Sequence, residues 1–295
     1  MEQLSPNVWT ETRLRGCNPS FVSTSAGVVV IDTPQLPTKA VQMRREAESH
    51  GPIRYVINTE HHVDHIFGNH WFKGAGTVVH HRGVHDNFMV VFPELDPFAY
   101  AMEAIPTDDP DGAALVPNRE TYYADLNRHG IVFTGDLTLH VGDRTFRLLH
   151  TPGHTPGQIA VHVPEERMVF TGDTVFSDCA TWLMSSDVDQ WIASLDRIRA
   201  LEDVDCVVPG HGPVTTLDYL ATQRAMLLEW KAAVAVAVAK GWSRAETMER
   251  VSFASRYPVD VGQEYMMEYI QTRNAGALWD RLTAKPAASP SGAAR

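Results

Sequence analysis

Glu60-His61-His62-Val63-Asp64-His65 follows closely on Arg54-Tyr55-Val56-Ile57-Asn58, a run that reads as a short buried strand. Three imidazoles and two carboxylates thus crowd into one loop at a strand end. Alternate residues of an extended segment share a face, so residues 60, 62, 64 and 65 point to one side if the backbone extends and then turns. Such a loop can feed two metal ions, Glu60 and His62 to one, Asp64 and His65 to the other. His61 is expected to face the other way, as a supporting or surface residue.

Four other short segments carry the same chemistry: Ile31-Asp32-Thr33, Thr151-Pro152-Gly153-His154-Thr155, Thr171-Gly172-Asp173 and Pro209-Gly210-His211-Gly212. In the last three a glycine adjoins the potential ligand just beyond an expected strand. Glycine lets the backbone turn sharply and approach closely while its neighbour's side chain points into a shared cavity. Imidazole and carboxylate together suit zinc, iron or manganese, and the absence of clustered cysteine argues against a structural zinc site. Any one of these histidines alone reads as a solvated loop residue; the ordered set is what carries the signal. His70, His80, His81, His85 and His150 read as packing or surface residues.

Working outward, strands are expected at 21–23, 28–31, 77–80, 137–141, 145–150, 158–163, 168–170 and 206–208. Helices are expected at 38–50, with Thr38 as N-cap, at 82–92, after the cap Asp187, at 216–240 and through 243–283. The helix after Asp187 has the apolar face Val188, Trp191, Leu195 and Ile198. Tyr265 and Tyr269, four apart, suit a buried stripe. Strand–helix alternation in two halves points to two sheets packed together with helices outside and a site at one shared edge. Residues 93–127 hold five prolines around Asp108-Asp109-Pro110-Asp111-Gly112 and read as a long insertion or lid. Its aromatic residues Phe98, Tyr100, Tyr122 and Tyr123, with Phe88, Met89 and Phe92 beside them, favour an apolar or aromatic acyl substrate. The domain division expected is a catalytic unit over 1–240, a helical extension over 241–285 and a disordered low-complexity tail over 286–295.

The 295 residues are 44% hydrophobic and 21% charged, with net charge −11, which describes a globular chain and excludes a disordered one. The acidic balance argues against a nucleic-acid partner. Three scattered cysteines, Cys17, Cys179 and Cys206, form no disulfide framework or CxxC pair. No signal peptide or bilayer-length apolar run is read, so a cytoplasmic location is expected. No Gly-x-Ser-x-Gly elbow occurs.

The order of these motifs resembles the metallo-β-lactamase-fold hydrolase superfamily over roughly residues 5 to 225. The resemblance implies a four-layer αβ/βα sandwich with a one- or two-metal site between the sheets. Carried over, His62 and His154 would hold the first metal, Asp64, His65 and His211 the second, and Asp173 would bridge them. Asp32 would support the site from behind. Glu60 stands where the family has its first motif histidine. The resemblance further implies two divalent ions, zinc first, with iron or manganese as alternatives.

The function expected is hydrolysis of an ester, lactone, thioester or related acyl bond of a small molecule by a metal-bound hydroxide. Asp64 would orient the water or shuttle its proton. The alternative is a di-iron oxidoreductase of the same fold, motivated by Glu60. A homo-oligomer is compatible with the sequence, while nucleic acid and membrane are not expected partners.

Overall fold

The computed structural model describes residues 1–88, 96–128 and 130–284. The first sheet runs β1 (Glu2–Ser5), β2 (Val8–Thr10), β3 (Ser20–Thr24), β4 (Gly27–Ile31), β5 (Ile53–Ile57), β6 (Thr77–His81) and β7 (Gly130–Phe133), neighbours in sequence being neighbours in space. It is antiparallel from β1 to β4 and parallel from β4 to β7. The second sheet has the order β12-β11-β10-β9-β8, from β8 (Leu137–Val141), β9 (Arg144–His150), β10 (Ile159–Val163), β11 (Met168–Phe170) and β12 (Cys206–Val208).

Strand β4 shows why the layers form. All five residues of Gly-Val-Val-Val-Ile are buried, as a strand covered on both faces requires. Val29 and Ile31 join Phe146, Leu148, Ile159 and Val161 in the core between the sheets. Val28 and Val30, on the opposite pleat, pack with Ala40 and Met43 of the helix Pro37–Ser49. The second sheet's outer face is covered by the helices Val188–Arg199 and Tyr219–Ala239, through Trp191, Leu195, Ile198, Leu220 and Leu227. The result is helix, sheet, sheet, helix: the four-layer sandwich expected from the sequence.

Asp187 caps its helix as expected, accepting from the backbone N–H groups of Asp189 and Gln190. Thr38 does not cap the first helix. That helix begins at Pro37, and Thr38 instead gives its backbone N–H (2.8 Å) and hydroxyl (2.7 Å) to the buried carboxylate of Asp109. Asp109 also accepts from Gly112 N–H at the start of its own short helix, Pro110–Ala113. One carboxylate therefore serves two helix starts and ties the insertion to the sandwich. Asp109→Ala should lower the unfolding free energy by about 2–3 kcal/mol, from lost charge-assisted hydrogen bonds and an uncapped helix. Denaturant titration reads this directly; a change below about 0.5 kcal/mol would contradict it.

The proline-rich insertion is more ordered than a lid loop. It holds helices Pro97–Asp108, Pro110–Ala113 and Arg119–Asp125. Helix 82–92 is observed as Arg82–Asp86; Met89, Phe92 and Pro93 lie outside the described residues, as does the tail expected from residue 286. The extension is not continuously helical: Arg244–Arg250 and Met267–Thr283 flank an irregular stretch over 251–263. Tyr265 and Tyr269 form no buried stripe, being 74% and 36% exposed.

Candidate metal centre

Each expected site residue lies just beyond the end of a strand, Asp64 and His65 in the short helix Val63–Ile66 and Asp173 in the 3-10 turn Gly172–Thr174. Asp32 follows β4, residues 60–65 follow β5, His154 follows β9, Asp173 follows β11 and His211 follows β12. All open on the same edge of the sandwich. Glycine permits the approach at two places. A Cβ on Gly210 would collide with the carboxylate of Asp173, and one on Gly153, at φ +150°, would collide with Trp191.

The structure brings all seven expected ligands together. Glu60 Oε1 lies 2.9 Å from His62 Nδ1 and 3.7 Å from His154 Nε2, and the two imidazole nitrogens are 3.2 Å apart. His154 Nε2 is 3.3 Å from Asp173 Oδ2. On the other side, His211 Nε2 lies 3.2 Å from Asp64 Oδ2 and 3.4 Å from Asp173 Oδ2. His65 Nε2 is 3.0 Å from Asp173 Oδ1 and 3.9 Å from Asp64 Oδ2. Asp173 therefore touches both groups. Two candidate clusters result, Glu60-His62-His154-Asp173 and Asp64-His65-His211. Ligand atoms around a tetrahedral ion with bonds near 2.0–2.1 Å are about 3.3 Å apart, and most of these separations lie near that value.

The tautomers agree. His65 Nδ1 donates to Asp32 (2.9 Å), His154 Nδ1 to the carbonyl of Trp182 (3.1 Å) and His211 Nδ1 to Asp260 (2.8 Å). In each ring this leaves Nε2 with its lone pair facing the cluster. Asp32 is itself held by Thr59 N–H and Thr59 Oγ1 at 2.7 and 2.6 Å. Glu60 Oε2 is buried without a hydrogen-bond partner, and His65 Nε2 and Asp173 Oδ1, although 3.0 Å apart, form no aligned hydrogen bond with each other or with another group. Such atoms are rare unless something else satisfies them, and a cation among them would.

The electrostatics point the same way. Burial opposes charge on His211, yet Asp173, Asp260 and Asp64 outweigh it and hold the imidazole well above its ordinary value. Burial likewise opposes ionisation of Asp64, but His65 and His211 pull the carboxyl down to about 2. The cluster is anionic and demands positive charge; these residues fit a divalent-metal centre. His61 stands apart from it: it is buried, and burial followed by the neighbouring His62 pushes its pKa down to about 3.

A cleft partly open to solvent leads to the cluster. Its walls include Val63, Tyr100, Trp182, Met184, Gln35 and Gln263. Trp182 and Met184, a short distance after Asp173 in the chain, reach it. Of the insertion's aromatic residues only Tyr100 lines it; Phe98, Tyr122 and Tyr123 pack with Phe67 in a satellite core. His70 stacks on Tyr122, His81 on His150, and His80 packs beside His85 and Phe88.

Sequence reasoning missed Cys17 and Asp260. Cys17 Sγ donates to the Asp64 carbonyl at 3.0 Å behind the site, and burial pushes the thiol up to about 12, so it is no nucleophile. Neither residue sits in a motif; only the folded chain brings them in.

Residues 12–211 match the model of the metallo-beta-lactamase superfamily. The chain is 28% identical over 162 residues to a hydroxyacylglutathione hydrolase of Pelagibacter ubique, covering 54% of this chain and 52% of that protein. It is 29% identical over 180 residues to an acyl-coenzyme A thioesterase of Homo sapiens, covering 57% and 60%. The chain thus matches between half and three fifths of the length of these relatives. A metallo-beta-lactamase family protein of Thermus thermophilus superposes with TM-score 0.66 over 95% of both chains at 16% identity, a likeness of fold.

Proposed function

The chain belongs to the metallo-beta-lactamase superfamily, and from that membership we propose that it is a metal-dependent hydrolase of small-molecule acyl bonds, thioesters foremost. The observation that carries the reading is the convergence of His65, His154 and His211 Nε2 on the Asp173 carboxylate, with Glu60 and Asp64 beside these rings, in a cleft partly open to solvent. The thioester preference rests on the two relatives above, both named for thioester cleavage. The di-iron oxidoreductase alternative gains nothing from these relatives and is not carried forward.

In this reading Glu60, His62, His154 and Asp173 hold one divalent ion, and Asp64, His65, His211 and Asp173 the other, with zinc in both. Bound there, such ions lower the pKa of water toward neutrality and polarise an acyl carbonyl. The chain's own residues do the rest. Asp32 and the Trp182 carbonyl fix ring orientation at His65 and His154. Asp64 lines the cleft and stays ionised, so it can orient the attacking water and carry its proton to the leaving group. Val63, Trp182, Met184 and Tyr100 offer an apolar wall for the acyl chain.

No lysine or arginine is among the described residues lining the cleft. Arg244 pairs with Asp280, Arg256 with Glu229, and Arg273 lies over the Tyr269 ring. An uncharged acyl group therefore fits the cleft better than an anionic one. Three unpaired cysteines suit a reducing cytoplasm, where we place the enzyme. No helix among the described residues is long and apolar enough to cross a membrane.

The test is a panel of neutral acyl thioesters, aryl esters and lactones, each assayed with metal-loaded protein. Thioester turnover exceeding that of the oxygen esters supports the reading; no turnover across the panel overturns it. Glu60 makes a separate prediction. A carboxylate is a harder ligand than imidazole, so Glu60→His should raise zinc uptake relative to manganese from an equimolar mixture by about tenfold. Elemental analysis reads the ratio, and an unchanged ratio would remove Glu60 from the ligand set.

A further inference from the structure

His211 is the last residue of the superfamily match, yet the group that orients its ring lies outside that match. Asp260, 49 residues further on, accepts from His211 Nδ1 at 2.8 Å. Its other oxygen accepts from Val261 N–H at 2.8 Å, so both carboxylate oxygens are engaged and the group is aimed. Phe176 stacks on the imidazole, its ring 5.0 Å from that of His211 and 4° from parallel. His211 is thus held by the sandwich on its face and by the extension on its edge.

The extension's loop is itself anchored at both sides of Asp260. Before it, the carbonyl of Pro258 accepts from Ala180 N–H at 2.8 Å, and Val259 packs with Ala180 and Ile270. After it, buried Arg15 donates to the carbonyl of Gly262 (2.7 Å) and to Tyr265 Oη (3.0 Å), while pairing with Asp108 of the insertion at 3.2 Å. Gln263, three residues beyond Asp260, lines the cleft wall.

We propose that Asp260 is a positioning residue of the metal centre: the C-terminal extension completes the site by orienting His211, so metal affinity at the His211 position and docking of the 258–265 loop are coupled. The inference rests on the reading of His211 as a metal ligand. A carboxylate behind a ligating imidazole fixes its tautomer and raises its basicity, and losing such a partner typically costs 10–100-fold in metal affinity. Coupling is reciprocal, so removing the metal must weaken the docking of the loop that carries Asp260.

The experiment is a zinc-affinity titration against a competing chromophoric chelator, on the full chain and on Asp260→Ala, Asp260→Asn and Tyr265→Phe. In Asp260→Ala, one of two zinc affinities should fall 10–100-fold while the other stays within threefold. Asp260→Asn keeps the shape and one acceptor but not the charge, and should fall between, which reads the effect even if the alanine variant folds poorly. Tyr265→Phe removes one anchor of the same loop while leaving Asp260 on His211, so through the same coupling it should weaken only the His211 position, and by less than either Asp260 variant does. Hydrogen exchange over residues 258–265 should quicken in the wild type when zinc is removed. Unchanged affinities in both Asp260 variants, or an equal fall at both sites, would overturn the inference while leaving the metal centre standing. A wild type that binds no zinc would instead overturn the metal-centre reading beneath it.

Discussion

Asp64→Asn should lower kcat for acyl hydrolysis by about 10³-fold, within the range that a positioned acid–base group supplies. Asp64 approaches His211 at 3.2 Å and lines the cleft where a substrate must enter; Asp173 does both as well, but it also touches His65 and His154. Asparagine matches its shape and keeps an oxygen for His211, but it cannot accept and return a proton. The fold should survive, because the backbone carbonyl that receives Cys17 Sγ is unchanged. Metal content measured beside kcat separates the two ways the substitution acts. A fall in kcat with both ions retained assigns Asp64 the proton; wild-type turnover with both ions retained removes it from the mechanism.

Metal removal should have a still broader effect. Dialysis against a strong chelator should abolish turnover, and zinc should restore it. Stability should fall as well. A ligand present at 1,000 times its Kd contributes about 4 kcal/mol, and stripping it leaves the buried Glu60 and Asp173 beside the half-buried Asp64. Protons on His65 and His211 offset part of that repulsion, since the surrounding carboxylates outweigh burial and hold both imidazoles well above their ordinary value. Thermal unfolding with and without chelator checks this; equal midpoints would mean that the cluster does not hold a structural charge partner.

The centre was legible in the sequence because its chemistry is local. Glycines beside His154, Asp173 and His211 mark backbone that must approach closely, and Gly210 proved to lie against Asp173 itself. The apolar run 28–31 read as a strand and is one, and the structure shows it covered on both faces. What stayed hidden depends on distant partners. Thr38 looked like a cap because nothing nearby shows that Asp109, 71 residues away, receives its N–H and hydroxyl. The insertion's prolines suggested irregular chain, yet Pro97 and Pro110 stand in first helical turns, where no intrahelical donor is lost. Asp260 is a lone aspartate in a loop, and only the fold of the extension gives it a partner.

The most direct test of the account is elemental analysis of metal per chain, on protein purified without added metal and again after exposure to zinc. The account predicts two divalent ions per chain, falling to one or fewer in His211→Ala. Protein that holds no metal after zinc exposure, or a single ion that His211→Ala leaves in place, would contradict it.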